Sequence, residues 1–209
     1  MASQFIEDGH GSGEVLETGD KPIVFLLGDS IRLGYCKTVK EVLEPEIPVV
    51  FPNENCRSTQ FVIPHLCGWS KACDREKVKV FHFNCGHWDV AHWDGDERSL
   101  TTPDDYAYNL GRIIRHARDF FPNATFVFAT TTPMDPRGRI GRNPRSNEEI
   151  DRYNEIARKV CAEYGVLIND LNSFARGWDT DSYIDYCHYT PEKFRLLGEH
   201  VADVIKGLL

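Results

Sequence analysis

Five consecutive apolar residues, Ile23-Val24-Phe25-Leu26-Leu27, run straight into Gly28-Asp29-Ser30. A strand with one wet face alternates apolar and polar residues, whereas an unbroken apolar strand needs both faces covered. This run therefore requires helices on both sides of a sheet. Further segments over 47–51, 78–83, 125–129 and 166–168 read as strands. Pro48 puts the second of these near an edge, because proline donates nothing to the ladder. Helical spacing fills the gaps at 37–43, at 104–121 and at 148–164. Thr190 and Pro191 make a cap and first turn for a last helix, whose apolar face is Phe194, Leu197, Val201, Val204, Ile205 and Leu208. Strands alternating with helices predict an α/β fold: a three-layer α/β/α sandwich on a central, about five-stranded parallel sheet with right-handed crossovers.

The 209 residues make one domain over 21–209, preceded by an acidic, glycine-rich stretch over 1–20 that reads as a flexible arm. Hydrophobic residues at 41% and charged residues at 27% exclude a disordered, collagenous or coiled-coil chain. The 24 basic against 32 acidic side chains give a net charge of −8, which argues against nucleic acid or an anionic membrane as partner. No apolar run approaches the ~20 residues of a spanning helix. The start lacks the basic and apolar regions of a secretory signal, and the seven cysteines show no CxxC pair. Reduced thiols in a cytoplasmic protein are the expectation, with a secreted origin open if the start is engineered.

In open parallel sheets, ligands sit beyond the carboxyl ends of the strands. Ser30 falls there, in a strand-to-helix turn where free helix N–H groups can face a developing oxyanion. Capping alone is the plainer role for Asp29 or Ser30. A nucleophilic serine needs a base, and the base an orienting acid. Asp185-Tyr186-Cys187-His188 offers both just before the last helix. The spacing is weak by itself, since Asp89-Val90-Ala91-His92 repeats it. Position separates the two pairs: only the later one abuts a helix that can lie beside Ser30. His82, Cys85, His87 and His92 have no recognised ligand spacing, so no metal and no cofactor are expected.

With Gly28-Asp29-Ser30 after the first strand, Phe83-Asn84-Cys85-Gly86-His87-Trp88-Asp89 after the third, Ala129-Thr130-Thr131-Thr132-Pro133 after the fourth and Asp185-x-x-His188 before the last helix, the chain resembles the SGNH (GDSL-type) hydrolases from Lys21 onward. The resemblance implies ester hydrolysis through an acyl-serine, with Ser30 as nucleophile, His188 as base and Asp185 as its orienter. Two departures stand out. The family's oxyanion glycine after the second strand is missing, because no glycine lies between Gly34 and Gly68. Its usual asparagine is Trp88 here. For the oxyanion hole this leaves the Ser30 N–H with Asn84 as first choice, Gly86 for a further N–H, and Asn55 as the other candidate.

Trp88 and Trp93 suit a pocket wall or the rim of the core, one of each being expected. The loop after the fourth strand carries Arg137, Arg139, Arg142 and Arg145. Arg139 and Arg142, with Arg57, are candidates for holding an anionic part of a substrate, against a plain solvated loop. The leading expectation is a serine esterase of small acyl groups, acetyl first, acting on a small-molecule or carbohydrate ester. The alternatives are a degenerate binding module on the same fold and a lysophospholipase or thioesterase.

Overall fold

The computed structural model describes the main chain of Phe5–Ile6 and residues 18–138 and 141–209. Its sheet holds β1 (Phe5–Ile6), β2 (Ile23–Leu27), β3 (Val49–Pro52), β4 (Val78–Phe83), β5 (Thr125–Ala129) and β6 (Leu167–Asn169), in the order β1-β3-β2-β4-β5-β6. Every pairing is parallel. The five strands read from the sequence form the α/β sheet; the short β1 adds an edge beside Phe51 and Pro52.

Residues of β2 point alternately to two cores. Ile23, Phe25 and Leu27 pack beneath α2 (Thr59–Trp69), α3 (Pro103–Phe120) and α4 (Asn147–Glu163). Val24 and Leu26 pack beneath α1 (Ser30–Leu43), α5 (Leu171–Ala175) and α6 (Pro191–Lys206). All five β2 residues are fully buried, which is why the run carries no polar residue. No helix among the described residues is long and apolar enough to cross a membrane.

Three helices depart from the sequence reading. α1 begins at Ser30, well before the segment 37–43, because Asp29 caps it: its carboxylate accepts the Ile31 N–H at 2.9 Å. Gly34 reads as a breaker, yet it makes room. A Cβ there would stand 2.2 Å from the Phe194 ring of α6. α2 was hidden by Pro64 and Gly68 in its interior. The short α5 lies in a stretch without helical period, and Asp170 caps it.

Chain order reverses between β2, whose neighbours are β3 and β4, so the turns after β2 and β4 bound a crevice at the carboxyl edge. α1 and α6 run side by side over one face. Gly198 of α6 sits where an added Cβ would lie 2.6 Å from Thr38 Cβ and 3.0 Å from the Tyr35 carbonyl. Gly198→Ala therefore forces the helices apart. We expect a loss of about 1–3 kcal/mol, read as a Tm drop of roughly 2–12 °C, despite alanine's better helix propensity. An unchanged or higher Tm would mean the two helices have slack.

Candidate active site

Ser30 is the first residue of α1 and His188 lies in the turn that leads into α6. Their 158-residue separation closes to a hydrogen bond of 2.7 Å between Ser30 Oγ and His188 Nε2. His188 Nδ1 lies 2.7 Å from Asp185 Oδ2. The other Asp185 oxygen accepts the N–H groups of Cys187 and His188, at 2.9 and 2.8 Å. Partial burial raises the Asp185 pKa, but these N–H groups and the imidazole outweigh it, so the carboxyl lies below its ordinary value. The Asp185 side chain thus shapes the turn through its backbone contacts and orients the imidazole through Nδ1. A hydroxyl, an imidazole and an ionised carboxylate in this order form a relay able to withdraw a proton from the hydroxyl.

The cavity beside Ser30 measures about 140 Å³. Asn55, His87, Trp88, Trp93, Asn143, Arg145, Tyr186 and Cys187 line it together with Ser30 and His188. Trp88 and Trp93 both face it as a stacked pair, with ring centres 5.2 Å apart; the expected division into one core and one wall residue is corrected. Their union follows from the turn between them, which brings both rings to the same side.

Asn55 and Asn84 occupy different levels. Asn84 follows β4 directly, and its side chain drops onto the floor against Asp29 and Gly28. Its Oδ1 would stand 1.9 Å from a Cβ on Gly28. Burial raises the Asp29 pKa, opposed by the Asn84 hydrogen bond and the Ile31 N–H. Gly86 packs on Thr131, whose Oγ1 would lie 1.9 Å from an added Cβ. Neither Asn84 nor Gly86 belongs to the cavity lining among the described residues. Asn55 does, and its Oδ1 accepts the Arg57 N–H at 2.9 Å, which fixes the amide. Of the two asparagines, the one that faces the cavity is Asn55. Arg57 itself has a φ of 54°, the left-handed region that favours glycine.

Arg32 ties this loop to the nucleophile turn. Fully buried, it donates to the carbonyls of Pro52 at 2.9 Å, Glu54 at 2.6 Å and Gly28 at 3.2 Å. Nothing in the sequence reading pointed to it, although an arginine two residues past Ser30, inside an otherwise buried helix face, is the available signal.

The arginine candidates separate. Arg57 is exposed and lies over Phe61, 4.6 Å from the ring centre, and Trp88, at 5.7 Å. Arg142 turns outward, its side chain 84% exposed, and pairs with Asp94. Arg139 lies outside the described residues. Among the described residues the loop arginine that reaches the cavity is Arg145, which was not among the candidates read from the sequence. Asp89 is buried and accepts the Thr59 N–H at 3.0 Å and hydroxyl at 2.6 Å, anchoring α2; burial pushes its pKa up to about 6. His92 pairs with Glu149 at 2.6 Å, away from the cavity. His82, Cys85, His87 and His92 do not converge: His82 contacts Asn169, and His87 contacts Thr132. Among the described residues the potential metal ligands that cluster are Asp185, Cys187 and His188, the relay itself and its neighbour. All seven cysteines are unbridged.

The family model for GDSL-like lipases and acylhydrolases matches residues 26–195, which span Ser30, Asp185 and His188. The chain belongs to this family. It is a carboxylic ester hydrolase of the GDSL type. Three solved structures share the acylhydrolase's fold. The lipase/acylhydrolase from Enterococcus faecalis is 21% identical with a TM-score of 0.69, over 89% of this chain and 96% of the other. A carbohydrate acetylesterase from Sinorhizobium meliloti is 13% identical with a TM-score of 0.69, over 90% and 100%. An acetyl xylan esterase is 15% identical with a TM-score of 0.67, over 88% and 99%. No curated protein sequence matches the chain.

Two buried imidazoles weaken the fold of this acylhydrolase toward acid. Burial lowers the His82 pKa from 6.5 to about 3 and holds that of His87 well below its ordinary value. Both are protonated in the unfolded chain below about 6.5 and stay neutral in the fold. Their contribution to stability is complete above pH 6.5 and is lost as pH falls below it, down to about 3 for His82, at about 1.4 kcal/mol per pH unit per group. Asp89 and Asp29, with raised pKa values, act in the opposite sense in both proteins, so the test is the difference: stability from urea unfolding between pH 7.5 and 5 should fall less steeply toward acid in His82→Gln than in wild type, by one proton. An identical slope in the variant would place a proton on His82 within the fold.

Proposed function

We propose that this acylhydrolase removes a small acyl group, acetyl first, from the hydroxyl of a carbohydrate or similar alcohol through an acyl-serine intermediate. The observation that carries the proposal is the Ser30–His188–Asp185 relay at 2.7 Å and 2.7 Å, opening on a cavity of only about 140 Å³. Ser30 Oγ attacks the ester carbonyl while His188 Nε2 takes its proton. Asp185 holds Nδ1–H and stabilises the imidazolium. Collapse of the tetrahedral adduct breaks the bond to the alcohol, which leaves with the proton from His188. Water then attacks the acyl-serine, with His188 as base again, and Ser30 regains its proton as the carboxylic acid departs. The Ser30 N–H at the start of α1 and the Asn55 amide stabilise the oxyanion.

The cavity's size favours a short acyl group over a lipid chain. Its stacked tryptophans suit the flat apolar face of a sugar ring. Similarity to an acetyl xylan esterase and a carbohydrate acetylesterase supports the same choice.

Ser30→Ala and His188→Ala should each cut turnover of p-nitrophenyl acetate by several orders of magnitude, and Asp185→Asn by about 10⁴. Activity should fall steeply from acetyl to octanoyl esters; a flat or rising profile would refute the short-acyl reading.

Asn55→Ala should lower kcat by about 10²–10³ with little change in KM, since the oxyanion forms only in the transition state. Undiminished kcat in that variant would move the donor elsewhere.

A further inference from the structure

The cavity beside Ser30 is unusual for so acidic a chain. With 32 acidic against 24 basic side chains overall, its lining includes no Asp or Glu among the described residues. The triad carboxylate stands behind His188, and His87 is held neutral by burial. The cation on the wall is Arg145. We infer that Arg145 is a specificity residue that selects esters carrying a carboxylate on the alcohol side. This rests on the esterase reading of the same site.

Three observations carry the inference. Arg145 is half-buried, yet no acidic side chain of the described residues pairs with it. A partly desolvated guanidinium with no carboxylate at ion-pair distance, the buried Asp29 acting on it only from further off, gains from an anionic ligand more than an exposed one does. Its fork is also fixed in advance. Nη1 donates to the His87 carbonyl, Nε and Nη2 donate to the Asn143 carbonyl at 3.4 and 3.3 Å, and the Tyr186 ring lies 5.4 Å beneath it, with the Tyr186 hydroxyl as a further contact. These bonds leave N–H capacity on the guanidinium, which has five donors, and remove the rotamer freedom that binding would otherwise have to quench.

The support beneath it is rigid as well. Gly141 lets the loop pass the Tyr186 ring, where a Cβ would approach to 2.5 Å. Asn143 accepts the Asp94 N–H at 3.0 Å, and Pro144 accepts the His92 N–H at 2.9 Å. The loop is thereby fastened to the turn that carries Trp93. Ser30, Trp88, Trp93 and Arg145 line one cavity of about 140 Å³, so a substrate with its carbonyl at Ser30 lies close to the guanidinium. A planar carboxylate matches such a fork.

The test compares two acetate esters of equal shape, one bearing a carboxylate and one the corresponding carboxamide, as a ratio of kcat/KM. Wild type should prefer the carboxylate ester, and the preference should shrink as salt rises. In Arg145→Gln the ratio should fall about 10–100-fold, the size expected for one charge-assisted contact. Arg145→Lys should retain part of it. A ratio near one in wild type, or the same ratio in wild type and both variants, overturns the inference. If Arg145→Gln fails to fold, the wild-type ratio, its salt dependence and the lysine variant still decide. Failure of the esterase reading is distinct: neither ester would then be cleaved in a Ser30-dependent way.

Discussion

The close approach of α1 and α6 is the contact on which the site depends. Ser30 opens one helix and His188 precedes the other, so the distance between the helix starts sets the distance between hydroxyl and imidazole. Two glycines permit it, Gly34 against Phe194 and Gly198 against Thr38. Two caps then fix where each helix begins: Asp29 takes the Ile31 N–H, and Thr190 takes the Lys193 N–H. A shift of one ångström between these helices would stretch the 2.7 Å Ser30–His188 hydrogen bond beyond useful length.

Beneath the site, polar groups are buried where an apolar floor would pack more simply. Arg32 offers donors to three carbonyls from the β2 turn and the β3 turn, which welds the loop bearing Asn55 to the start of α1. Burying a guanidinium is costly, and carbonyl partners offset that cost only when the geometry is good. The arrangement answers a gap in the family pattern. Where the SGNH pattern has a glycine after the second strand, this chain places Arg57 at positive φ, Asn55 accepting the Arg57 N–H, and Arg32 beneath the loop.

Much of this was legible in the sequence, for identifiable reasons. Ile23–Leu27 announced a doubly covered strand because both its faces are dry. Ser30 and His188 meet because one follows a central strand and the other precedes the last helix, and a parallel sheet brings such places to one edge. α2 escaped because Pro64 and Gly68 break its helical signal, although packing against α3 sustains it. Asn84 drew attention by its place after β4, but residues leaving a strand alternate in direction, and Asn84 turns to the floor. Which arginine of the 137–145 loop faces the cavity depends on Gly141 and on hydrogen bonds to residues some fifty positions away, such as His92 and Asp94. Composition carries no trace of those.

The central claim is that Ser30 is the nucleophile, activated by His188. Reaction with a fluorophosphonate, followed by intact mass and peptide mapping, tests it most directly, because the reagent captures the serine whose hydroxyl is activated. The account predicts a single adduct on Ser30, absent in Ser30→Ala and formed far more slowly in His188→Ala. An adduct on another residue, or labelling of Ser30→Ala at the wild-type rate, would contradict it.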